Sequence, residues 1–593
     1  MARRIILVAR YYSIEPLGIM YLAGVAKDAG WELKVVLIHE YDFEPLYELV
    51  RSWQPDFVGF QIWTGYHLPA FTACDRVQAM GVPVIIGGPH ATYFHKECEE
   101  HATFVAKGEG FRIFHNILTG EFTEPRTYFD QDWAAGAFPL PDRNVVYEAY
   151  PEIGASPIKS IFASVGCPYT CTYCYAPAKN AMYGGFKFNA RPVDDLVAEA
   201  NAIKNAGYPL SMVYFQDDIF GFKLPWLRAF AQKWSQEVKV PFHCQIRLEL
   251  TQHKVGDERL DLFKQAGCTG ITLAIESGNA FLRDQVLFRH MDEDLIVEGC
   301  RKILDRGMTL RIEQILAVPF SNSETDLATL DLNHRINPTM AWTSILSPFA
   351  GTDMGTIANK FGFYEGNNDD LSESFFDRSV LRHVHGGPDT VDRMAKACGA
   401  GPRDRFLLTV ETEHLGDSVR VTHPTHGELG VVEFLTPEEN EQYRTDCVRL
   451  QRLFMWVAKV PGARKLGETL IALPEADWSW RTIGEVTHEH LLDHHDEATL
   501  TFWRASLAYE MGFTTPAALP EAIAQNPWFF VFHPAGGLLA QATLDRKVFE
   551  RSSFLETLDV LGTLSRRHLF HYGLYRIEEG RPAIVTRVFA RAA

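Results

Sequence analysis

The chain has 593 residues, 46% hydrophobic and 22% charged, which is too long for one hydrophobic core and is the composition of a folded protein rather than a disordered one. Its net charge of −18 argues against a general polyanion binder, since phosphate backbones are gripped by Lys and Arg, so nucleic acid is not expected as a partner. No apolar run approaches the roughly 18 to 20 residues that cross a bilayer, and the opening MARRIILVARYY reads as a strand rather than a signal peptide, so a cytoplasmic protein without membrane contact is expected.

Over the first hundred-odd residues the strands RIILVAR, ELKVVLI, DFVGFQI, VPVIIGG and TFVAKGEG alternate with helical stretches such as LGIMYLAGVAKDAG and FEPLYELVRSW. This alternation predicts an α/β domain over residues 1–125, a doubly wound, Rossmann-like parallel sheet. Such sheets bind ligands beyond the carboxyl ends of their strands, which here carry YYSIEPLG, WTGYH, GGPHAT and KGEG. Residues 126–156, Pro-containing and rich in aromatics, read as a linker. A second series follows over residues 157–365, with strands near 158–165, 211–216, 242–247, 270–275, 309–316 and 342–347. Six strand–helix units predict a partial (βα)6 barrel with function at the carboxyl ends of its strands. Residues 366–593 mix strand and helix patterns and predict an α+β domain that caps the barrel mouth or binds substrate. Within it, His488, His490, His494 and His495 read as a polar helix face, with a metal site as the competing reading.

The segment IFASVGCPYTCTYCYAP directly follows the first barrel strand and holds three of the ten cysteines as Cys167-x3-Cys171-x2-Cys174. Without signs of secretion, such a cluster points to metal or redox chemistry rather than disulfides, and the other seven cysteines read as ordinary buried thiols. Three thiolates can anchor three corners of a [4Fe–4S] cube and leave the fourth iron open to an exogenous ligand. A zinc site would need a fourth ligand, and the spacing is unlike the paired CxxC of a zinc ribbon.

With Tyr173 just before the last cysteine, this pattern in a barrel resembles the radical S-adenosylmethionine superfamily. The resemblance implies that the amino and carboxylate groups of S-adenosylmethionine chelate the open iron. An electron from a donor such as flavodoxin or ferredoxin then cleaves the sulfonium to a 5′-deoxyadenosyl radical. It also implies site residues. Asp217, with Asp218 beside it in FQDDIF, would contact S-adenosylmethionine, with a helix-capping acid pair as the alternative. Arg247 would pair with the methionine carboxylate. Glu276 in TLAIESGN would be the catalytic acid, holding the amino or ribose groups or approaching the open iron. ILAVPFSNSET would run past adenine.

The first domain, placed before such a barrel, resembles the cobalamin-binding domain of cobalamin-dependent radical S-adenosylmethionine enzymes, so the resemblance covers roughly residues 1–365. It implies that Gly87, Gly88, Gly108 and Gly110 allow close approach to the nucleotide tail, ordinary turns being the alternative. The D-x-H-x-x-G motif is absent from this domain, so a histidine beneath cobalt by that route is not expected. Trp63, Tyr66 or His67 of the IWTGYH loop would lie there instead, with plain packing as the alternative. The implied cofactors are a [4Fe–4S] cluster, S-adenosylmethionine and cobalamin in its methylcobalamin form. The implied activity is a class B methyltransferase acting on a carbon centre of a small-molecule substrate, similar to the tryptophan 2-C-methyltransferases of natural-product biosynthesis. A cyclase or rearrangement enzyme with the same cofactors, and a cobalamin or iron–sulfur sensor, are the competing readings. Methylthiolation is disfavoured, because relatives that perform it carry three cysteines in the first domain, where this chain has only Cys74 and Cys98.

Overall fold

The computed structural model describes residues 3–478 apart from 13, 134–137, 367 and 459–461, and beyond them residues 482, 486 and 490 and three strands. Of the four tail histidines only His490 falls in that set.

The first sheet has six parallel strands: β1 (Arg4–Arg10), β2 (Glu32–Ile38), β3 (Phe57–Gln61), β4 (Val84–Gly87), β5 (Phe104–Lys107) and β6 (Arg126–Phe129), in the order β2-β1-β3-β4-β5-β6. Helices cover both faces, so β1 is buried on both and reads as a continuous apolar run. Leu7 packs with Met20 and Tyr21 of the helix Leu17–Asp28 on one side, and Val8 packs with Tyr47 and Phe71 on the other. The sixth strand lies in the stretch read as a linker. Its sequence, Arg-Thr-Tyr-Phe, buries only Tyr128 fully, so it carries no apolar run to announce it.

The second sheet is the predicted barrel. It is built from β7 (Ile158–Ile161), β10 (Met212–Phe215), β11 (Phe242–Gln245), β12 (Cys268–Glu276), β13 (Thr309–Leu316) and β14 (Met340–Ile345), with a two-residue hairpin of β8 (Ser164–Val165) and β9 (Asn189–Ala190) beside β7. The strand order is β14-β13-β12-β11-β10-β7 and every pair is parallel, leaving the barrel open between its first and last strands. Outward residues such as Val213, Phe215, Phe242 and Leu273 pack under Leu227, Phe230, Trp234 and Phe263 of the surrounding helices. Alternate, inward positions carry Tyr214, His243, Arg311 and Glu313, so the lumen is polar.

Beyond the barrel, β15 (Glu411–His414), β16 (Ser418–His423) and β17 (Gly427–Glu433) form an antiparallel sheet, and β18 (Trp528–Pro534), β19 (Phe570–Glu578) and β20 (Arg581–Ala590) form another. The helix Pro437–Val457 is pinned to the barrel through Tyr443, whose hydroxyl donates to the buried Asp326 at 2.7 Å. Among the described residues, no helix is long and apolar enough to cross a membrane.

The two α/β domains are joined by buried charge. Glu15, in the loop after β1, accepts from Arg143 at 2.9 Å and from the backbone N–H of Ser160 on β7. Arg143 also donates to Glu199 at 2.6 Å, and Glu199 accepts from Arg191 at 2.6 Å. All four side chains are buried, two of each sign, so the network is neutral as a whole.

Candidate functional site

The three cysteines lie in the loop that leaves β8. Gly166 opens it with φ +117°, and a Cβ there would come within 2.2 Å of the Lys187 carbonyl oxygen, so glycine is required on both counts. The loop is pinned at several points: Asp218 accepts from Gly166 N at 3.1 Å, Asn180 donates to the Cys167 carbonyl at 2.9 Å, and Arg405 donates to that of Thr170 at 3.2 Å. Cys174 caps the helix Tyr175–Met182, its sulfur accepting from Ala176 N. Burial pushes the Cys167 thiol up to about 11 and that of Cys174 up to about 12.

Cationic donors surround the middle cysteine. Arg247, which follows β11, places Nη1 3.0 Å from Cys171 Sγ, stacks on Tyr169 with its guanidinium carbon 3.8 Å from the ring centroid, and is held along its other edge by Glu249. Arg289 lies 3.6 Å from the same sulfur, 3.3 Å from Tyr173 Oη and 3.8 Å from Glu276. Phe288 and His290 on either side of Arg289 have left-handed backbones, with φ of 58° and 49°. Two strained residues thus aim this arginine into the site, a cost that folds tend to bear where function needs it. Arg289 belongs to no motif visible in the sequence. N–H donors directed at a sulfur fit a thiolate that shares the negative charge of a cluster.

Glu276 ends β12 at a register shift, with φ +67°. Its carboxylate accepts from the Tyr173 hydroxyl, and burial pushes its pKa up, opposed by the Arg289 guanidinium and the Tyr173 bond. Tyr173, Arg247 and Glu276 are therefore brought together with Cys171. Asp217 is not part of this group. Its carboxylate accepts from Ala163 N at 3.0 Å and Ser164 Oγ at 2.5 Å, holding the end of β7 to that of β10, and burial pushes its pKa up to about 7 against those bonds.

A crevice of about 450 Å³ opens at the carboxyl ends of β1, β3, β4 and β5. Gly87, Gly88, Gly108 and Gly110 all line it, together with apolar residues such as Leu7, Ile19, Phe60 and Phe114. Gly88 has φ +103°, and a Cβ there would lie 2.6 Å from the Ile62 carbonyl oxygen, whereas Cβ atoms at Gly87 and Gly110 would meet only the Ala106 methyl, at 3.8 and 3.7 Å. The far wall of the crevice comes from the barrel: Phe162, Ser164, Val165, Lys179 and Asp218, all close in sequence to the cysteine loop or bonded to it. Lys179 pairs with Glu109 across the boundary. Apolar walls with glycine edges at a strand-order reversal fit a large, flat cofactor with a nucleotide tail.

The IWTGYH residues lie elsewhere. Tyr66 is buried in the domain core against Phe43 and Trp63, and Trp63 leans on Tyr12. His67 is buried, stacks on His90 at 4.3 Å and pairs with Asp369 at 2.9 Å. The segment carrying Asp369 lies across this loop: Gly65, at φ +93°, has room for a Cβ only 2.8 Å from Glu373 N, and Glu373 accepts from Arg10, Tyr12 and Tyr41. None of the three side chains lines the crevice. A larger concavity of about 700 Å³ between residues 363–382 and 441–478 stands apart from these groups.

Residues 3–118 match the family model described as a B12 binding domain, and residues 161–332 match that of the Radical SAM superfamily. Among curated proteins, the chain is similar to cytidylyl-2-hydroxyethylphosphonate methyltransferase of Streptomyces wedmorensis, at 24% identity over 44% of this chain and 61% of the relative. It is also similar to bacteriochlorophyllide d C-12(1)-methyltransferase of Chlorobaculum tepidum, at 24% identity over 35% and 45%. The chain thus spans about half to three-fifths of the length of these two relatives. Among solved structures it resembles the radical S-adenosylmethionine methyltransferase TsrM from Kitasatospora setae with cobalamin and a [4Fe–4S] cluster bound, with a TM-score of 0.53 and 16% identity over 87% of this chain and 100% of that one. It also resembles the cobalamin-dependent S-adenosylmethionine radical enzyme OxsB with aqua-cobalamin and S-adenosylmethionine bound, with a TM-score of 0.53 and 14% identity over 95% and 84%. At such identities the likeness is one of fold.

Proposed function

We propose, from the premise that this chain joins a B12-binding domain to a radical S-adenosylmethionine domain, that it is a cobalamin-dependent methyltransferase. It would move a methyl group from S-adenosylmethionine, by way of cobalamin, to a carbon centre of a small molecule. The observation that carries this reading is the shared crevice: one wall is the glycine-edged end of the first sheet, and the other is the barrel segment beside the cysteine loop. When bound there, cobalamin would supply a cobalt that carries the methyl group, and the cluster an open iron and an electron received from a flavodoxin- or ferredoxin-type donor.

The roles of the chain's own residues follow from their positions. Cys167, Cys171 and Cys174 hold the cluster, and Arg247 and Arg289 donate to Cys171 and favour added negative charge there. Glu276, its proton affinity raised by burial and its orientation fixed by Tyr173 and Arg289, is placed to accept from an ammonium or hydroxyl group of S-adenosylmethionine. Gly87 and Gly110 leave the crevice floor open to a bulky tail, and the Lys179–Glu109 pair closes its edge. Tryptophan is the first substrate to assay, because TsrM has been solved with tryptophan as substrate.

Anaerobic reconstitution with iron, sulfide, cobalamin, reductant and methyl-deuterated S-adenosylmethionine tests the reading. The expected result is S-adenosylhomocysteine together with a product that carries the labelled methyl, lost when any of the three cysteines is replaced by Ala. A product of unchanged mass formed with 5′-deoxyadenosine would overturn it in favour of rearrangement chemistry.

A further inference from the structure

Among the described residues, two groups of metal-ligating side chains converge outside the cofactor sites. In the first, His67, His90 and Glu97 gather near Asp369. There the Gly65 N–H donates to His67 Nδ1, which leaves that ring's proton on Nε2, donated to Asp369. The nitrogen facing the carboxylate is thus a donor rather than a ligand, and the group is a hydrogen-bonded clasp.

The second group lies on a turn that reaches solvent. The hairpin turn between β16 and β17 reads His-Pro-Thr-His and brings His423 Nδ1 and His426 Nδ1 to 3.0 Å from each other. Cys398, which caps the helix Gly387–Ala397, completes a set of three ligand atoms that all lie within 4.8 Å of one another. The Thr425 N–H donates to His423 Nδ1, so that nitrogen carries no proton of its own, and an ion bound there would take the lone pair that this hydrogen bond uses. Two nitrogens bound to one tetrahedral zinc at 2.0–2.1 Å would be about 3.3 Å apart, close to the spacing found here. We propose that Cys398, His423 and His426 bind one zinc-class divalent ion, with the fourth position open to solvent on the side of the exposed His426. One thiolate with two imidazoles suits zinc better than calcium or magnesium, which take oxygen ligands.

The ion would sit at one end of a brace on the cysteine loop. Residues 399–405 run from the proposed site to Arg405, which donates to the Thr170 carbonyl between Cys167 and Cys171, pairs with Asp353 and lies over Phe288 beside Arg289. Phe406 stacks on His423. Clipping the hairpin to the helix would thus hold the segment that supports the iron–sulfur loop from outside.

The test uses the full chain with its cluster loaded, so that Cys167, Cys171 and Cys174 are occupied, and compares the parent with Cys398→Ser and His426→Ala. These positions are half-buried and exposed, so the fold should survive both changes. The parent should hold about one zinc per chain by plasma emission spectrometry. Cobalt(II) substituted there should show a thiolate-to-metal charge-transfer band that is absent from Cys398→Ser, while iron content stays the same in all three proteins. Equal zinc content in parent and variants, or a cobalt spectrum that Cys398→Ser does not change, would leave an imidazole–imidazole hydrogen bond as the whole content of the turn and overturn the proposal.

Discussion

Replacing Arg247 with Met should make the bound cluster harder to reduce. Arg247 Nη1 is the closer of the two guanidinium donors to Cys171, at 3.0 Å against 3.6 Å for Arg289, so it should contribute more. A hydrogen bond to a charged group is worth about 1.5–3 kcal/mol. Adding an electron increases the negative charge on the sulfurs and strengthens that bond. If about half of its value is gained on reduction, the difference is about 1 kcal/mol, or about 40 mV for one electron. Structural damage should be small, because Glu249, the other partner of Arg247, is about a third exposed at its side chain and can turn to water. The assay is a redox titration of reconstituted protein, followed by electron paramagnetic resonance of the reduced cluster, with iron content matched between parent and variant. The midpoint should fall by about 40 mV. An unchanged or higher midpoint at equal iron content would mean that the guanidinium does not sense the cluster charge, and the role given to it here would be wrong.

Glu276→Gln keeps an acceptor for Tyr173 but removes the charge facing Arg289. It should weaken S-adenosylmethionine binding about 10- to 100-fold, the equivalent of one charge-assisted hydrogen bond, when measured anaerobically by calorimetry, and unchanged affinity would exclude Glu276 from the binding site. Gly110→Leu projects a side chain into the crevice from a residue with φ −93°, so the backbone is not strained. The variant should fold, load iron normally and pass through gel filtration without cobalamin, whereas retention of stoichiometric cobalamin would place the cofactor elsewhere. Burial pushes the Asp326 carboxyl from 3.8 up to about 6. The folded chain therefore keeps a proton that the unfolded chain has lost, and this group's contribution to stability, present below about pH 4, disappears as pH rises to about 6, a change of about 3 kcal/mol. Asp326→Asn should remove that slope, so a difference in unfolding midpoint between the two proteins that stays constant from pH 4 to pH 7 would contradict it.

The strands of both sheets were legible because each places an apolar face, or two, against helices, and their alternation survives in the sequence. β6 was not, since an edge strand of four residues with one fully buried side chain leaves no pattern. The cysteine loop announced itself through spacing alone. The residues around it did so unevenly: Arg247 and Glu276 stand at strand ends, where function is expected, but Arg289 comes from an irregular turn whose two left-handed neighbours, Phe288 and His290, are not glycines that would mark it in the sequence. The IWTGYH loop shows the opposite limit. Aromatic and histidine side chains after a strand suggest a ligand, yet what decides their direction is the segment around Asp369 and Glu373, some 300 residues later in the chain, and no local pattern records it.

The buried quartet of Glu15, Arg143, Glu199 and Arg191 bears on how such a molecule could be recombined. Glu15 comes from the first domain, Arg143 from the connecting segment, and Glu199 and Arg191 from the barrel. A chimaera that took its barrel from a relative lacking Glu199 would leave Arg191 buried without its carboxylate partner and Arg143 with Glu15 alone, at a cost of about 3–5 kcal/mol. One that exchanged the first domain without Glu15 would leave two buried guanidinium groups facing the single carboxylate of Glu199. Grafting either half therefore requires moving the matching charges with it.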